Sequence, residues 1–125
     1  MIAICISCTP KNEKSIPQDI IIKSTGYTVK KFKRYLYPKV YIVKNVFTAD
    51  AQVVIIDGVE LSLIDEKALK STEISTIEFY KFNQMANGDV EIELVLMPRR
   101  QYVKFYFKKS GSGTWDLTDI KPWQD

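Results

Sequence analysis

Two seven-residue stretches near the C-terminus constrain the fold most. Val90-Glu91-Ile92-Glu93-Leu94-Val95-Leu96 and Tyr102-Val103-Lys104-Phe105-Tyr106-Phe107-Lys108 carry an apolar side chain at every second position. That is the period of a strand with one buried face and one wet face. Joined antiparallel through Met97-Pro98-Arg99-Arg100-Gln101, they set Ile92 opposite Phe107, Leu94 opposite Phe105 and Leu96 opposite Val103. The other face then pairs Glu91 with Lys108 and Val95 with Lys104, so opposite charges and apolar groups each meet their kind. A one-residue slip would turn the apolar set to water. Ser110-Gly111-Ser112-Gly113 reverses the chain into a third strand, Thr114 to Ile120, and the last third reads as a meander.

Upstream the pattern is more broken. Asp19 to Lys23 reads as a short β-branched strand closed by Ser24-Thr25-Gly26, and Thr28 as the cap of a short helix through Leu36, stopped by Pro38. Val40 to Phe47 and Val53 to Ile56 read as strands, with Asp57-Gly58 as a hairpin turn or a strand end. Ser62 or Asp65 then caps a second helix that turns Leu61, Ile64, Ala68 and Leu69 inward and ends at Ser71-Thr72. The expected class is α+β: an antiparallel sheet with a C-terminal meander and one or two short helices packed on one face. At 125 residues the chain makes one domain able to bury about two-thirds of its unfolded surface. Residues 1–8 read as the remnant of a signal, 9–19 as a flexible tether and 20–125 as the globular domain.

Histidine is absent and there are two cysteines, Cys5 and Cys8. The missing imidazole removes the commonest general base and metal ligand, and two cysteines alone do not complete a structural zinc site. Only four residues precede Cys5, too few for the strand that positions a thioredoxin-like pair. These points argue against an enzyme, a resident metal and a cofactor. The apolar run breaks off at Cys8 into Thr9-Pro10-Lys11-Asn12-Glu13-Lys14, and at this length it is too short to span a bilayer. Ile6-Ser7-Cys8 followed by that polar stretch resembles the lipobox that ends a bacterial lipoprotein signal, with translation starting upstream or the chain trimmed. The resemblance implies lipidation at Cys8, a membrane anchor, and residence in the bacterial cell envelope at the outer membrane, facing periplasm or surface.

Val53-Val54-Ile55-Ile56-Asp57-Gly58-Val59-Glu60-Leu61, then Glu73 to Lys81, then Ala86-Asn87-Gly88-Asp89-Val90 resembles the plug domain of TonB-dependent outer-membrane receptors over roughly positions 53–96. It implies a βαββ unit of an envelope protein rather than transport. The close of the meander, Trp115-Asp116-Leu117-Thr118-Asp119-Ile120, is similar to the end of the cone-shaped fold of nuclear-transport-factor-like and ketosteroid-isomerase-like proteins. That resemblance implies a small-molecule-binding protein or enzyme, its pocket lined by Phe79, Phe105, Phe107 or Trp115 with a convergent acid.

The candidate chemistry reduces to charge. Glu91 and Glu93 imitate a catalytic carboxylate pair but read as a solvated face opposite Lys104 and Lys108. Asp57 reads as a turn former, and Ser110 to Gly113 as a hairpin rather than a phosphate loop. The basic residues fall into two clusters: Lys30, Lys31, Lys33, Arg34, Lys39 and Lys44, then Arg99, Arg100, Lys104, Lys108 and Lys109. The first is interleaved with Tyr27, Phe32, Tyr35, Tyr37 and Tyr41, the composition of a single-strand nucleic-acid surface. A cytosolic nucleic-acid binder is the reading if Cys8 carries no lipid; export argues against it. For an anchored protein, Lys30, Lys31, Lys33, Arg34, Tyr35, Arg99 and Arg100 are expected to meet an acidic envelope protein or anionic lipid. The expected function is a non-catalytic binding or adaptor module.

Overall fold

The computed structural model describes residues 15–65, 67, 73–111 and 113–124. Its main elements are helix α1 (Gln18–Lys31) and seven strands: β1 (Lys39–Val43), β2 (Val54–Ile56), β3 (Val59–Ile64), β4 (Ile74–Gln84), β5 (Val90–Met97), β6 (Gln101–Gly111) and β7 (Thr114–Gln124). They form one sheet in the order β2-β3-β1-β4-β5-β6-β7. It curls so far round α1 that its two edge strands, β2 and β7, both touch the helix.

Asp19 to Lys23 is helical, a correction to the strand read there. Three isoleucines in a row favour a strand, but propensity differences amount to at most about 0.7 kcal/mol per residue, whereas burying one large apolar side chain is worth about 1.5–3 kcal/mol. Helical spacing buries Ile16, Ile20, Ile21, Val29 and Phe32 together and leaves Ile22 outside. Nor do Ser24-Thr25-Gly26 stop it. The hydroxyls of Ser24, Thr25 and Thr28 donate to the carbonyls of Ile20, Ile21 and Ser24 at 2.6, 2.6 and 2.8 Å. All three residues are therefore fully buried without an unmet polar group. The helix ends at Lys31, short of the expected Leu36, and a 3-10 turn over Lys33–Tyr35 follows.

The chain is already in the fold at residue 15, four residues before the expected tether ends. Ile16 is buried and its N–H donates to the Phe47 carbonyl at 2.8 Å, while Ser15 Oγ and Gln18 Oε1 accept from the backbone of Asp50 and Gln52 at 3.0 Å. The lipobox-like stretch and the rest of the tether lie outside the described residues.

The expected all-antiparallel sheet is mixed. β1 runs parallel to both neighbours, Tyr41 beside Ser62 on β3 and beside Thr76 on β4. It stops at Val43 rather than Phe47 because Asn45 caps the next turn: its Oδ1 accepts from Phe47 N–H at 2.9 Å, and its Nδ2 donates to the Phe79 carbonyl at 2.8 Å. β2 and β3 form a hairpin across Asp57 and Gly58, at φ 50° and 81°, a turn that favours glycine at its second position. Where a helix was expected from Ser62, β3 continues through Ile64; Leu61 is fully buried on it. Ala68 and Leu69 lie outside the described residues.

From β4 to β7 the antiparallel meander stands as the alternation requires, but its register is moved by two residues. Ile92 faces Phe105, Leu94 faces Val103 and Leu96 faces Gln101, while Glu91 faces Tyr106, Glu93 faces Lys104 and Val95 faces Tyr102. The connection is three residues, 98–100, instead of five. An even shift leaves every side chain on its own face, so the pattern alone is blind to it. The inner face, with Ile77, Phe79, Ile92, Leu94, Phe105 and Phe107, packs under α1 as one core, with Tyr27 edge-on to Phe105 at 5.7 Å. Phe79, Phe105, Phe107 and Trp115 are thus core, and they line none of the three clefts described below. The first turn of α1 docks on β7: Trp115 N–H donates to Asp19 Oδ2 at 2.8 Å, Lys23 Nζ donates to the Trp115 carbonyl, and Lys23 and Asp19 pair at 3.1 Å.

Candidate functional site

Two charged arrays stand out, on different parts of the molecule. The first lies at the corner where α1 ends. Phe32 closes the helix through its N–H to the Thr28 carbonyl, the 3-10 turn projects Arg34 and Tyr35, and Tyr37 N–H donates to Ser75 Oγ at 2.9 Å. That bond ties the corner to the start of β4. β4 pairs Thr76 with Met97, which brings the β5–β6 connection alongside. The Arg99 guanidinium lies over the Tyr35 ring, 3.5 Å from its centroid, and Arg34 lies 5.9 Å from the same centroid. The Arg99 Nε is buried and makes no hydrogen bond. Its carbonyl accepts from Gln124 Nε2 at 3.2 Å, and buried Gln101 donates to the Trp123 carbonyl at 2.9 Å, so the turn is held against the end of β7. Arg100, at φ 59°, is exposed beside it.

The sequence-predicted cations do not make one continuous patch. Arg34, Tyr35 and Arg99 come together. Lys30 turns instead into a cleft of about 440 Å³ between α1 and the two sheet edges, with Ile22, Tyr27, Ile55, Asp57 and Leu117. Lys33 lines a smaller one of about 210 Å³ with Val29, Leu36, Tyr37, Val40 and Val59, and Lys39 a third of about 430 Å³ with Tyr37, Tyr41, Ile64 and Glu73. Lys31 and Lys44 are exposed. Arg99 and Arg100 precede β6, whereas Lys108 and Lys109 lie near its far end, with Lys109 over the Trp115 ring at 5.7 Å.

The second array sits on the outer face of the meander. Lys81 Nζ lies 3.0 Å from Glu93 Oε2 and 3.5 Å from Glu91 Oε1; Lys104 Nζ lies 3.8 and 3.7 Å from the same two carboxylates. Tyr80 OH donates to Glu93 at 2.9 Å and Asn83 Nδ2 to Glu91 at 3.2 Å. Glu93 is buried, not solvated, and the second cation of the Glu91–Glu93 pair is Lys81 rather than Lys108. The hydrogen bond and charge of Glu93 raise the Lys81 pKa above its ordinary value. Burial pushes the Glu91 carboxyl up, but Asn83, Lys81 and Lys104 together outweigh it and leave it below its ordinary value. Both groups are thus held in their charged forms, the reverse of what a general acid near neutral pH needs. A bulge between Phe79 and Lys81 re-aims Tyr80, whose ring meets Tyr102 edge-on at 6.0 Å; Tyr102 in turn stacks on Trp123 at 5.3 Å. Neither Lys81 nor this row of rings, one from each of three strands, was read as a feature of the sequence.

Among the described residues no group of histidine, cysteine or carboxylate side chains is arranged to hold a metal, and no helix is long and apolar enough to cross a membrane. Cys8 lies outside the described residues. Asp57 sits in its turn, and Ser110 bonds Thr114 across the β6–β7 hairpin at 3.1 Å. No family model matches the chain, and no curated protein and no solved structure was found to match it.

Proposed function

We propose that the chain is a non-catalytic binding module of the bacterial cell envelope, held at the outer membrane by a lipid on Cys8. It meets an anionic partner through the corner formed by Arg34, Tyr35 and Arg99. The observation that carries the binding part is the convergence of two arginines, distant in sequence, on one exposed tyrosine ring. Guanidinium groups and tyrosine are the side chains most enriched where surfaces recognise partners. The anchoring part rests on the residues around Cys8.

The test is the intact mass and membrane partition of the protein expressed from its native upstream region, beside a Cys8→Ala variant. Gain of a diacylglyceryl group and flotation with membranes by the wild type alone is the expected result. A soluble, unmodified protein still beginning at Met1 would remove the anchor and return nucleic acid to consideration for the segment from Tyr27 to Lys44.

A further inference from the structure

We infer that Arg99 and Arg34, arranged around Tyr35, form a binding site for a phosphate group. The inference deepens the reading of this corner as a binding surface and is independent of the anchor.

The first argument is charge balance. The lysines in ion pairs among the described residues, Lys23, Lys81 and Lys104, each have a carboxylate within 4 Å. Arg34 and Arg99, like Lys30, Lys31, Lys44 and Lys108, have none among the described residues, and are set apart by both lying within 6 Å of one ring centroid. Two like charges beside one ring, with no carboxylate near them among the described residues, repel, and a bound anion relieves that repulsion. The second argument is the orphaned Arg99 Nε, the one buried side-chain polar atom without a hydrogen bond among the described residues. The Arg99 guanidinium lies instead on the Tyr35 ring, 3.5 Å from its centroid. This stacking leaves the terminal N–H groups in plane, a rigid fork that matches two oxygens of one phosphate. The third is access: Tyr35 is 44% exposed, and Arg100 in the same turn is exposed beside it.

Phosphate fits better than carboxylate. A single arginine already neutralises a carboxylate in a two-toothed contact, whereas a phosphate offers three acceptor oxygens and up to two charges at neutral pH. Two guanidiniums around one ring match that ligand in number and charge. The shared chemistry has two sources, a lipid head group and a free phosphorylated molecule or inorganic phosphate.

The experiment uses the full chain carrying Cys8→Ala, so that no anchor contributes. Inorganic phosphate is titrated at constant ionic strength, with chloride as the control, while the arginine Nε–H resonances and the thermal midpoint are followed. Vesicles of phosphatidylglycerol and of phosphatidylcholine are offered in parallel. The expected result is a phosphate-dependent shift of the Arg99 Nε–H resonance and a midpoint that rises with phosphate in this protein but not in Arg99→Gln. Arg34→Gln, a change at an exposed residue, is expected to weaken binding about tenfold. Arg99→Lys keeps the charge but loses the fork, and is expected to weaken it similarly. Capture by phosphatidylglycerol vesicles that both Gln variants abolish assigns the site to a lipid head group; a phosphate response without vesicle capture assigns it to a soluble phosphate. A stacking role without a ligand would lower the midpoint of Arg99→Gln yet leave every protein indifferent to phosphate and vesicles. That outcome, or vesicle binding unchanged in both Gln variants without a phosphate response, overturns the proposal.

Discussion

The outer face of the meander and the corner at the end of α1 are built from the same kinds of side chain, yet they spend their charge in opposite ways. On the outer face two lysines and two glutamates share one another, with Tyr80 donating to the Glu93 oxygen that no lysine pairs and Asn83 to the Glu91 oxygen that Lys81 also pairs. At the corner two arginines share a tyrosine ring and no carboxylate among the described residues. The first array is internally neutral and complete, which is the form of a structural network. The second is open to solvent and has no carboxylate partner among the described residues.

The sharpest way to break that contrast is to remove Glu93. Glu93→Ala strips the buried carboxylate from Tyr80, Lys81 and Lys104, and is expected to destabilise the domain by about 2–3 kcal/mol in urea unfolding. A loss under about 0.5 kcal/mol, the ordinary surface value, would mean that the outer network is as dispensable as an exposed ion pair.

A smaller effect comes from pH. Glu91 holds its proton less tightly in the fold than its ordinary value of 4.5, so its contribution is complete above about pH 4.5 and is lost as pH falls through the lower folded value. Lys81 is raised above 10.5; its contribution is complete below that and is lost as pH rises through the higher folded value. Guanidinium groups have no proton to lose in this range. The unfolding midpoint of the wild type should therefore fall at both extremes, while the stability difference between wild type and Arg34→Gln should stay level from pH 5 to 9. A difference that varies with pH in that interval would place a titrating group at the corner.

The smallest expected change has the opposite sign. Arg34→Gln removes one of two like charges, and at low salt should stabilise the domain by about 0.2–0.5 kcal/mol, the gain vanishing near 0.5 M salt as screening grows. Lys104→Gln, on the outer face, should destabilise. If Arg34→Gln destabilises too, the corner carries a counter-charge and its resemblance to the outer network is closer than described.

The alternation over 90–96 and 102–108 was enough to read two strands, their inner and outer faces and the meander, because which face a strand residue occupies is a local property of period two. It did not distinguish the true register from one two residues away. The connection at 98–100 decided that, and with it whether Glu93 or Val95 faces Lys104. Reading Ile20 to Ile22 as a strand failed for a related reason: a β-branched run is compatible with either state, and the choice fell to the core that Ile20 and Ile21 enter. Ser62 to Ile64 likewise became a strand through its parallel partner β1, which no nearby residue announces. The basic character of both clusters was visible; that Arg34 and Arg99 meet while Lys30, Lys108 and Lys109 go elsewhere was not.

By itself, then, the chain's sequence determined composition, the absence of imidazole chemistry and the two-sided pattern of its last strands, since these are properties of single residues or of neighbours. The tertiary structure alone decided that Ile20 and Ile21 form a helical face, that β1 lies between two parallel partners, and that Arg99 rests on Tyr35. The first two depend on burying apolar surface between segments far apart in the chain, and the third follows from the strand pairing that brings the β5–β6 turn beside Tyr35. The free energy of that burial exceeds local propensity, and only the folded arrangement makes it available.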